Sequence, residues 1–297
     1  MKFRKLGKTG LEASVIGIGT WQFGGEWGRA YQQNEVDAIL DKAAEHGINL
    51  IDTAECYGDH TSEALIGDYL FRRDRSRWIT ATKFGHNFHG FMDRTWDSSP
   101  AGVEAQLEKS LRALRTDVID LYQFHSGSDE DFNRPELWAM LQRQKERGKI
   151  RHLGISIAGK GGPHQAEQAR SVGAEVLQVV YNRLERRAER DFFPHAREQG
   201  LGILARVPLA SGFLSGKYVG FKSFPANDAR STFDQDKFLR WTVEVEQIRK
   251  TEVPADMPMS QWALAWCLRN PLVSAVIPGC RDVGQLEANA GAVKLVE

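Results

Sequence analysis

Apolar residues in this chain come in short dense runs, separated by longer stretches in which they recur every three or four positions. The runs read as buried strands and the spaced stretches as amphipathic helices. Residues 2–13 carry the turn signal Gly7-Lys8-Thr9-Gly10 between mixed segments, which predicts a β-hairpin covering one end of the main fold. A strand over 14–19 then starts a regular alternation. Helix 34–46, with Asn34 as its cap and Gly47 closing it, leads to strand 48–52 and helix 62–71. Strand 77–82, a long loop 84–97, helix 100–114 with Pro100 in its first turn, strand 118–124 and helix 135–147 follow. The second half repeats the pattern: strand 150–156, helix 164–172, strand 176–181, helix 188–199, strand 201–207, helix 260–269, strand 272–277 and a last helix over 282–293.

Strands that alternate with helices, without runs of hairpins, imply a parallel sheet, and eight of them can close into a barrel. The expectation is an α/β chain forming one (β/α)₈ TIM-barrel domain over 1–297, with an N-terminal β-hairpin and a long insertion after strand seven. An open doubly wound sheet is the competing topology. The insertion, 208–259, is too long for a simple connection. Its Phe213, Phe221, Phe224 and Phe233 favour an ordered wall or lid, and 241–250 reads as helix.

Composition narrows the class. The 297 residues hold 39 Lys plus Arg against 39 Asp plus Glu, so no global field favours nucleic acid or an anionic membrane. The N-terminus lacks the apolar core of a signal peptide, and no later run approaches the roughly 20 residues of a membrane span. Three cysteines without paired spacing argue against a disulfide framework and fit a reducing, cytoplasmic setting. The oligomeric state is left open.

The candidate chemistry lies at strand ends. The run from Ile48 ends in Asp52, with Tyr57 five residues on; the strand from Arg77 runs into Lys83; the strand from Val118 runs into His125. The three strand-end positions are 31 and 42 residues apart, each about one strand-plus-helix unit. In a parallel barrel, Asp52, Tyr57, Lys83 and His125 therefore meet at the carboxyl rim. An ammonium beside a phenol lowers its pKa from the usual ~10, and a carboxylate orients the ammonium. With His125 giving a second hydrogen bond, such a site polarises a carbonyl and protonates the alkoxide that forms. No nucleophile accompanies it, so the other reactant is expected from a cofactor. Cys56 has no His or Cys at motif spacing and is not assigned that part. His86 and His89 lack a carboxylate motif, so no metal is expected.

These residues carry a resemblance. Asp52-Thr-Ala-x-x-Tyr57-Gly58, Thr82-Lys83, Gln123-Phe-His125, Gly154-Ile-Ser156, Gln178 with Tyr181-Asn182, the stretch from Pro208 to Lys217, and Ile277-Pro-Gly279 are similar, in order, to the signatures of the aldo-keto reductases, in the bacterial and potassium-channel β-subunit-like branch. The resemblance implies a barrel that binds NADPH without a Rossmann fold and reduces aldehydes or ketones by hydride transfer. Tyr57 would be the general acid, Lys83 and Asp52 its tuning pair, and His125 the group orienting the carbonyl. Ser156 and Gln178 would bind the carboxamide. The backbone from Leu209 through Ser211 and Gly212 to Leu214 would line the pyrophosphate, and Arg281, Gln285 and Asn289 would hold the adenosine end. Thr20, Trp21, Arg206, Pro208 and Gly279 would complete the surroundings of the cofactor.

The residues themselves agree in part. No G-x-G-x-x-G follows a strand, and 211–218 lacks the first Gly and final Ser/Thr of a P-loop. Loops after the last two barrel strands are the usual phosphate seat, and Arg281 before the last helix is suited to fork around a phosphate. Two positions depart from the family pattern: Ile157 stands where Asn is common, leaving that hydrogen bond absent or supplied by Asn182, and Arg206 replaces a stacking aromatic. Trp21 and Trp27, with Phe84, Phe88 and Phe91, point to an apolar or aromatic carbonyl substrate. The alternative reading is a nicotinamide-binding regulatory or redox-sensing subunit with slow turnover; a phosphosugar isomerase on a similar barrel would need no nicotinamide.

Overall fold

The computed structural model describes residues 1–218 and 223–296. Strands β1 (Phe3–Lys5) and β2 (Glu12–Ser14) form the N-terminal antiparallel hairpin. Leu6 in its turn is fully buried, and a Cβ on Gly7, at φ +59°, would lie 2.2 Å from the Gly202 nitrogen, so the turn is pressed against the floor of the barrel.

The barrel strands are β3 (Ile18–Gly19), β4 (Leu50–Asp52), β5 (Ile79–Phe84), then, past a second hairpin of β6 (His86–Gly90) and β7 (Asp93–Trp96), β8 (Ile119–His125), β9 (Ile150–Ser156), β10 (Ala174–Val180), β11 (Gly202–Arg206) and β12 (Ala275–Val276). They pair in parallel in chain order from β3 to β12. Parallel bridges Ile16–Val276 and Gly19–Gly279 join the first strand to the last and close the sheet. The (β/α)₈ expectation therefore holds, and the open sheet does not.

Strand alternation sorts the side chains. One parity, including Leu50, Ile79, Ala81, Leu121, Val176 and Leu204, builds an apolar cluster with Leu6 and Ile277 inside the barrel. The other parity, including Ile51, Phe84, Tyr122, Phe124, Leu153, Ile155 and Leu177, packs outward beneath the helices. Continuing the inner parity towards the strand C-termini reaches Asp52, Lys83, Gln123, His125, Ser156, Gln178 and Arg206. The barrel is thus apolar at its floor and polar at its carboxyl end.

The outer helices include α1 (Gln33–Glu45), α2 (Thr61–Phe71), α3 (Pro100–Ala113), α4 (Asp129–Phe132), α5 (Pro135–Glu146), α6 (His164–Glu167), α7 (Ala188–Asp191), α8 (Phe193–Gln199), α9 (Gln235–Thr251), α10 (Met259–Leu268) and α11 (Val283–Gly291). Helix α1 opens with a capping box of Gln32 and Glu35 rather than at Asn34. Its Val36, Ile39, Leu40 and Ala43 form the buried stripe. The expected helix over 188–199 is broken at Phe192, because Pro194 has no N–H to continue the ladder. The expected loop 84–97 contains the β6–β7 hairpin instead. In the insertion, α9 is longer than expected, and Phe213, Phe238, Trp241, Val245 and Ile248 give it its own apolar cluster with α10. Phe221 lies outside the described residues. No helix among the described residues is long and apolar enough to cross a membrane.

Candidate active site

Strand parity and register bring the four predicted residues together. Lys83, fully buried, donates from Nζ to Asp52 Oδ2 at 2.7 Å, to the Thr53 carbonyl at 2.7 Å and to Tyr57 Oη at 3.2 Å. Asp52 Oδ1 accepts from Gln178 Nε2 at 2.6 Å and Gln123 Nε2 at 3.2 Å. The carboxylate is thereby fully satisfied, as a buried charge must be. Tyr57 reaches the cleft because the chain turns sharply after β4. Gly58 has φ +66°, and a Cβ there would fall 2.2 Å from the Gly24 carbonyl oxygen, which only glycine tolerates. The His125 ring stands edge-on to Tyr57, centroids 6.1 Å apart.

Burial and charge pairing together set the protonation of this cluster. Burial pushes the Tyr57 phenol up to about 12, with Lys83 pulling in the opposite direction. The expected net lowering of the phenol pKa is overturned: removing the hydroxyl from water outweighs the ammonium, and Tyr57 keeps its proton through the neutral range. Burial alone would lower Lys83, but Asp52 and Tyr57 outweigh it and hold the ammonium above its usual pKa. Burial, with His86 and Lys83 nearby, drives His125 well below the usual imidazole range, so it is neutral. Burial and Arg94 bring His86 down to about 4.

Around this centre, Trp21 stacks on Tyr57 with centroids 5.9 Å apart, and Trp27 and Phe233 lie 5.2 and 6.3 Å from Trp21. Trp21 Nε1 donates to Glu26 Oε2 at 2.8 Å, and Arg94 of β7 pairs with the same carboxylate at 2.5 Å, tying the second hairpin to the loop after β3. Phe84, by contrast, is fully buried against Tyr122 and Phe124 on the outward face, so it does not line the cleft. Phe91 lies 44% exposed between β6 and β7.

The predicted cofactor residues fall into three groups. Leu209, Ala210, Ser211, Gly212 and Leu214 form a tight turn after β11 and Pro208. Val207, Ala210, Ser211 and Gly212 all have positive φ there, strain that is characteristic of a functional loop. Arg281, Gln285 and Asn289 surround the start of α11. Gln285 Oε1 accepts from Arg281 N at 3.1 Å, Asn289 Nδ2 donates to Gly279 O at 3.4 Å, and Arg281 Nη2 donates to Trp27 O at 2.9 Å. The third group lies at the rim. Ser156 Oγ donates to Gln178 Oε1 at 3.4 Å, while Arg206 donates to Ile157 O at 3.0 Å and keeps a buried Nε without a partner among the described residues. Thr20 is buried against the Asp52 carbonyl and Ser62. Asn182 spends its amide on the Val207 carbonyl at 3.0 Å, leaving it committed to the loop turn.

Several residues here escape motif reasoning. Gln123 completes the Asp52 shell although only its string, not its role, is legible. Cys56 Sγ lies 3.7 Å from His125 Nδ1, a partner 69 residues away that no local spacing reveals, and burial raises the thiol pKa well above its usual value. Glu55, inside the Asp52–Tyr57 turn, is 2% exposed. Asp228 and Arg230, buried in the insertion, pair at 2.6 Å; Arg230 Nη1 donates to the Ser211 carbonyl at 3.2 Å, and its guanidinium lies over Trp27 and Phe224. With the Trp27–Asp228 bridge, they form a strap between the β11 turn and the loop after β3.

Comparison with known proteins identifies the family. The Aldo/keto reductase family profile matches residues 15–297. The chain is 33% identical over 304 residues to the Bacillus subtilis protein YqkF, described as an uncharacterized oxidoreductase, covering 100% of this chain and 94% of that one. Two solved structures superpose across it: aldo-keto reductase AKR11C1 from Bacillus halodurans in its holo form (TM-score 0.81, 31% identity, 99% of this chain, 91% of that one), and glycerol dehydrogenase AKR11B4 from Gluconobacter oxydans (TM-score 0.83, 30% identity, 98% and 89%). With its closed barrel and its carboxylate–lysine–tyrosine cluster at the carboxyl rim, this chain belongs to the aldo/keto reductase family of oxidoreductases.

Proposed function

We propose that this protein is an NADPH-dependent reductase of aldehydes and ketones, with Tyr57 as general acid, Lys83 and Asp52 as its tuning pair and His125 orienting the carbonyl. The observation that carries the reading is the buried Asp52–Lys83–Tyr57 chain of hydrogen bonds, 2.7 and 3.2 Å long, which opens on the cleft walled by Trp21. Tyr57 holds its proton until negative charge develops on the substrate oxygen. Lys83 is placed to stabilise the phenolate left behind, and Asp52 keeps Lys83 charged and oriented. The chemistry a bound nicotinamide supplies is hydride delivery to the carbonyl carbon.

The residues present fit such a cofactor. The turn over 207–212, with positive φ at Val207, Ala210, Ser211 and Gly212, offers a backbone cradle for a pyrophosphate, Arg281 and the start of α11 suit a phosphate, and Arg206 at the end of β11 has a buried Nε with no partner among the described residues. The preference for NADPH over NADH rests on Arg281. Trp21, Trp27 and Phe233 suit an apolar or aromatic carbonyl compound. The name glycerol dehydrogenase, borne by one solved relative, supports extending the reading to alcohol oxidation in the reverse direction.

The test is a tryptophan-quenching titration with NADPH and then NADH, followed by an aldehyde while nicotinamide absorbance is watched. The expected result is tighter NADPH binding and consumption of the reduced cofactor. Tyr57→Phe should bind NADPH normally and lose about 10²–10⁴-fold in turnover. Wild-type turnover in that variant would overturn the assignment, and tight binding without turnover in the wild type would favour the regulatory subunit.

A further inference from the structure

The Glu55 carboxyl is placed where the reaction scheme has no use for it. Its Oε1 accepts from the His86 backbone N–H at 2.9 Å. Its Oε2 is sealed from solvent, has no hydrogen-bond partner among the described residues, and lies 4.0 Å from His125 Nδ1. The Cys56 sulfur lies 3.7 Å from the same nitrogen, in one close cluster with Glu55 and His125. No described residue bonds His125 Nε2, the ring nitrogen left to meet a ligand.

A neutral imidazole carries one proton, and the partner of one nitrogen decides the role of the other. If Nδ1 holds the proton, Nε2 can only accept and cannot donate to a carbonyl oxygen. If Nδ1 instead accepts from a neighbour, Nε2 carries the proton and donates. We propose that Glu55 is a positioning residue that sets the His125 tautomer: when the present 4.0 Å separation closes to hydrogen-bond length, its protonated carboxyl gives Oε2–H to Nδ1 and so arms Nε2–H for a carbonyl oxygen. Once Glu55 ionises, its carboxylate accepts Nδ1–H, the ring proton moves from Nε2 to Nδ1, and Nε2 becomes an acceptor suited to an alcohol hydroxyl. The site would then be set for carbonyl reduction in one state and for alcohol oxidation in the other.

The environment supports the protonated form near neutrality. Burial, with Glu63 of α2 adding repulsion, lifts Glu55 to about 8, against the opposing pull of the His86 N–H and of Lys83 on β5. The other titratable groups facing it are Cys56 in its own turn, Tyr122 and His125 on β8, and, through the Cys56 carbonyl, Arg94 on β7. Tyr122 and Cys56 are both held protonated by burial, so Glu55 is the member of this group that ionises in the mildly alkaline range. The Cys56 S–H can also donate to Nδ1, and the test must separate the two donors.

This inference rests on the reductase reading only for its activity arm. The first measurement is long-range ¹⁵N–¹H NMR of histidine-labelled wild-type protein, with His125 assigned by its loss in His125→Asn. It should show Nε2–H and bare Nδ1 near neutral pH, with transfer to Nδ1–H as the pH passes about 8. Glu55→Gln keeps the shape and supplies an amide N–H that cannot titrate, so it should hold Nε2–H at every pH. In steady state, the fall in reductive kcat/KM at high pH should vanish in Glu55→Gln. The variant should exceed wild type by about tenfold one pH unit above the wild-type midpoint, the inverse of the protonated fraction remaining there. Cys56→Ala should keep the wild-type limb. Nδ1–H on His125 at neutral pH, an unchanged alkaline limb in Glu55→Gln, or loss of the limb in Cys56→Ala would each overturn the proposal. If the wild type shows no nicotinamide turnover, the reductase reading fails, while the NMR result still decides the role of Glu55.

Discussion

Lys83 shows how little a single residue carries alone and how much it carries in place. Its side chain is fully buried, a position an ammonium occupies only when paired, and Asp52 at 2.7 Å is that pair. Lys83→Met removes one partner and leaves a buried carboxylate with only amide donors. Breaking a buried pair in this way costs about 3–5 kcal/mol. The expected outcome is a lowered midpoint in chemical unfolding together with loss of reduction, because Tyr57 would lose the cation that favours its phenolate. Asp52, Lys83, Tyr57 and His125 were legible in the sequence because charged and aromatic residues at the ends of apolar runs stand out. The protonation of Tyr57 was not, since a pairwise view sees the ammonium but not the depth at which the phenol is buried.

At the scale of elements, the β6–β7 hairpin and the strap over 226–230 are the parts that sequence periodicity left as loop or as undivided insertion. The hairpin strands, His-Asn-Phe-His-Gly and Asp-Arg-Thr-Trp, have little apolar alternation because only their Trp96 end packs against the core, on Phe124; the rest of their order comes from pairing with each other and from Arg94 on Glu26. The strap depends on Asp228 and Arg230, two buried charges whose partners include the Ser211 carbonyl and the Trp27 ring. Asp228→Asn should loosen the strap over the 207–212 turn. On the proposed function, it should weaken NADPH binding by about tenfold, roughly 1.4 kcal/mol, with kcat on saturating cofactor largely kept. Stopped-flow quenching should place the change in the dissociation rate.

The whole molecule separates stability from chemistry along the barrel axis. The floor is closed by Leu6 and filled by Leu50, Ile79, Leu121, Val176 and Leu204, while the polar network occupies the carboxyl end. Leu121→Ala opens a cavity in the floor and is expected to cost about 2–5 kcal/mol in thermal or denaturant unfolding while KM for carbonyl and cofactor stays near wild type. A large shift in KM would show that the two ends are more tightly coupled than the layering implies.

By itself, the sequence determined the alternation of the main strands and helices, the parallel sheet it implies and the four residues at the strand ends. Each of these follows from a local signal: period two against period 3.6, a helix cap, or a polar residue ending an apolar run. The tertiary structure decided what depends on distant partners. Strand register placed Gln123 and Gln178 on Asp52, barrel closure brought the Gly279 loop beside Gly19, and the turn after β4 set Glu55 and Cys56 beside His125 Nδ1. These contacts join residues many positions apart, and the burial that keeps Tyr57 protonated and His125 neutral exists only once the chain has closed around them.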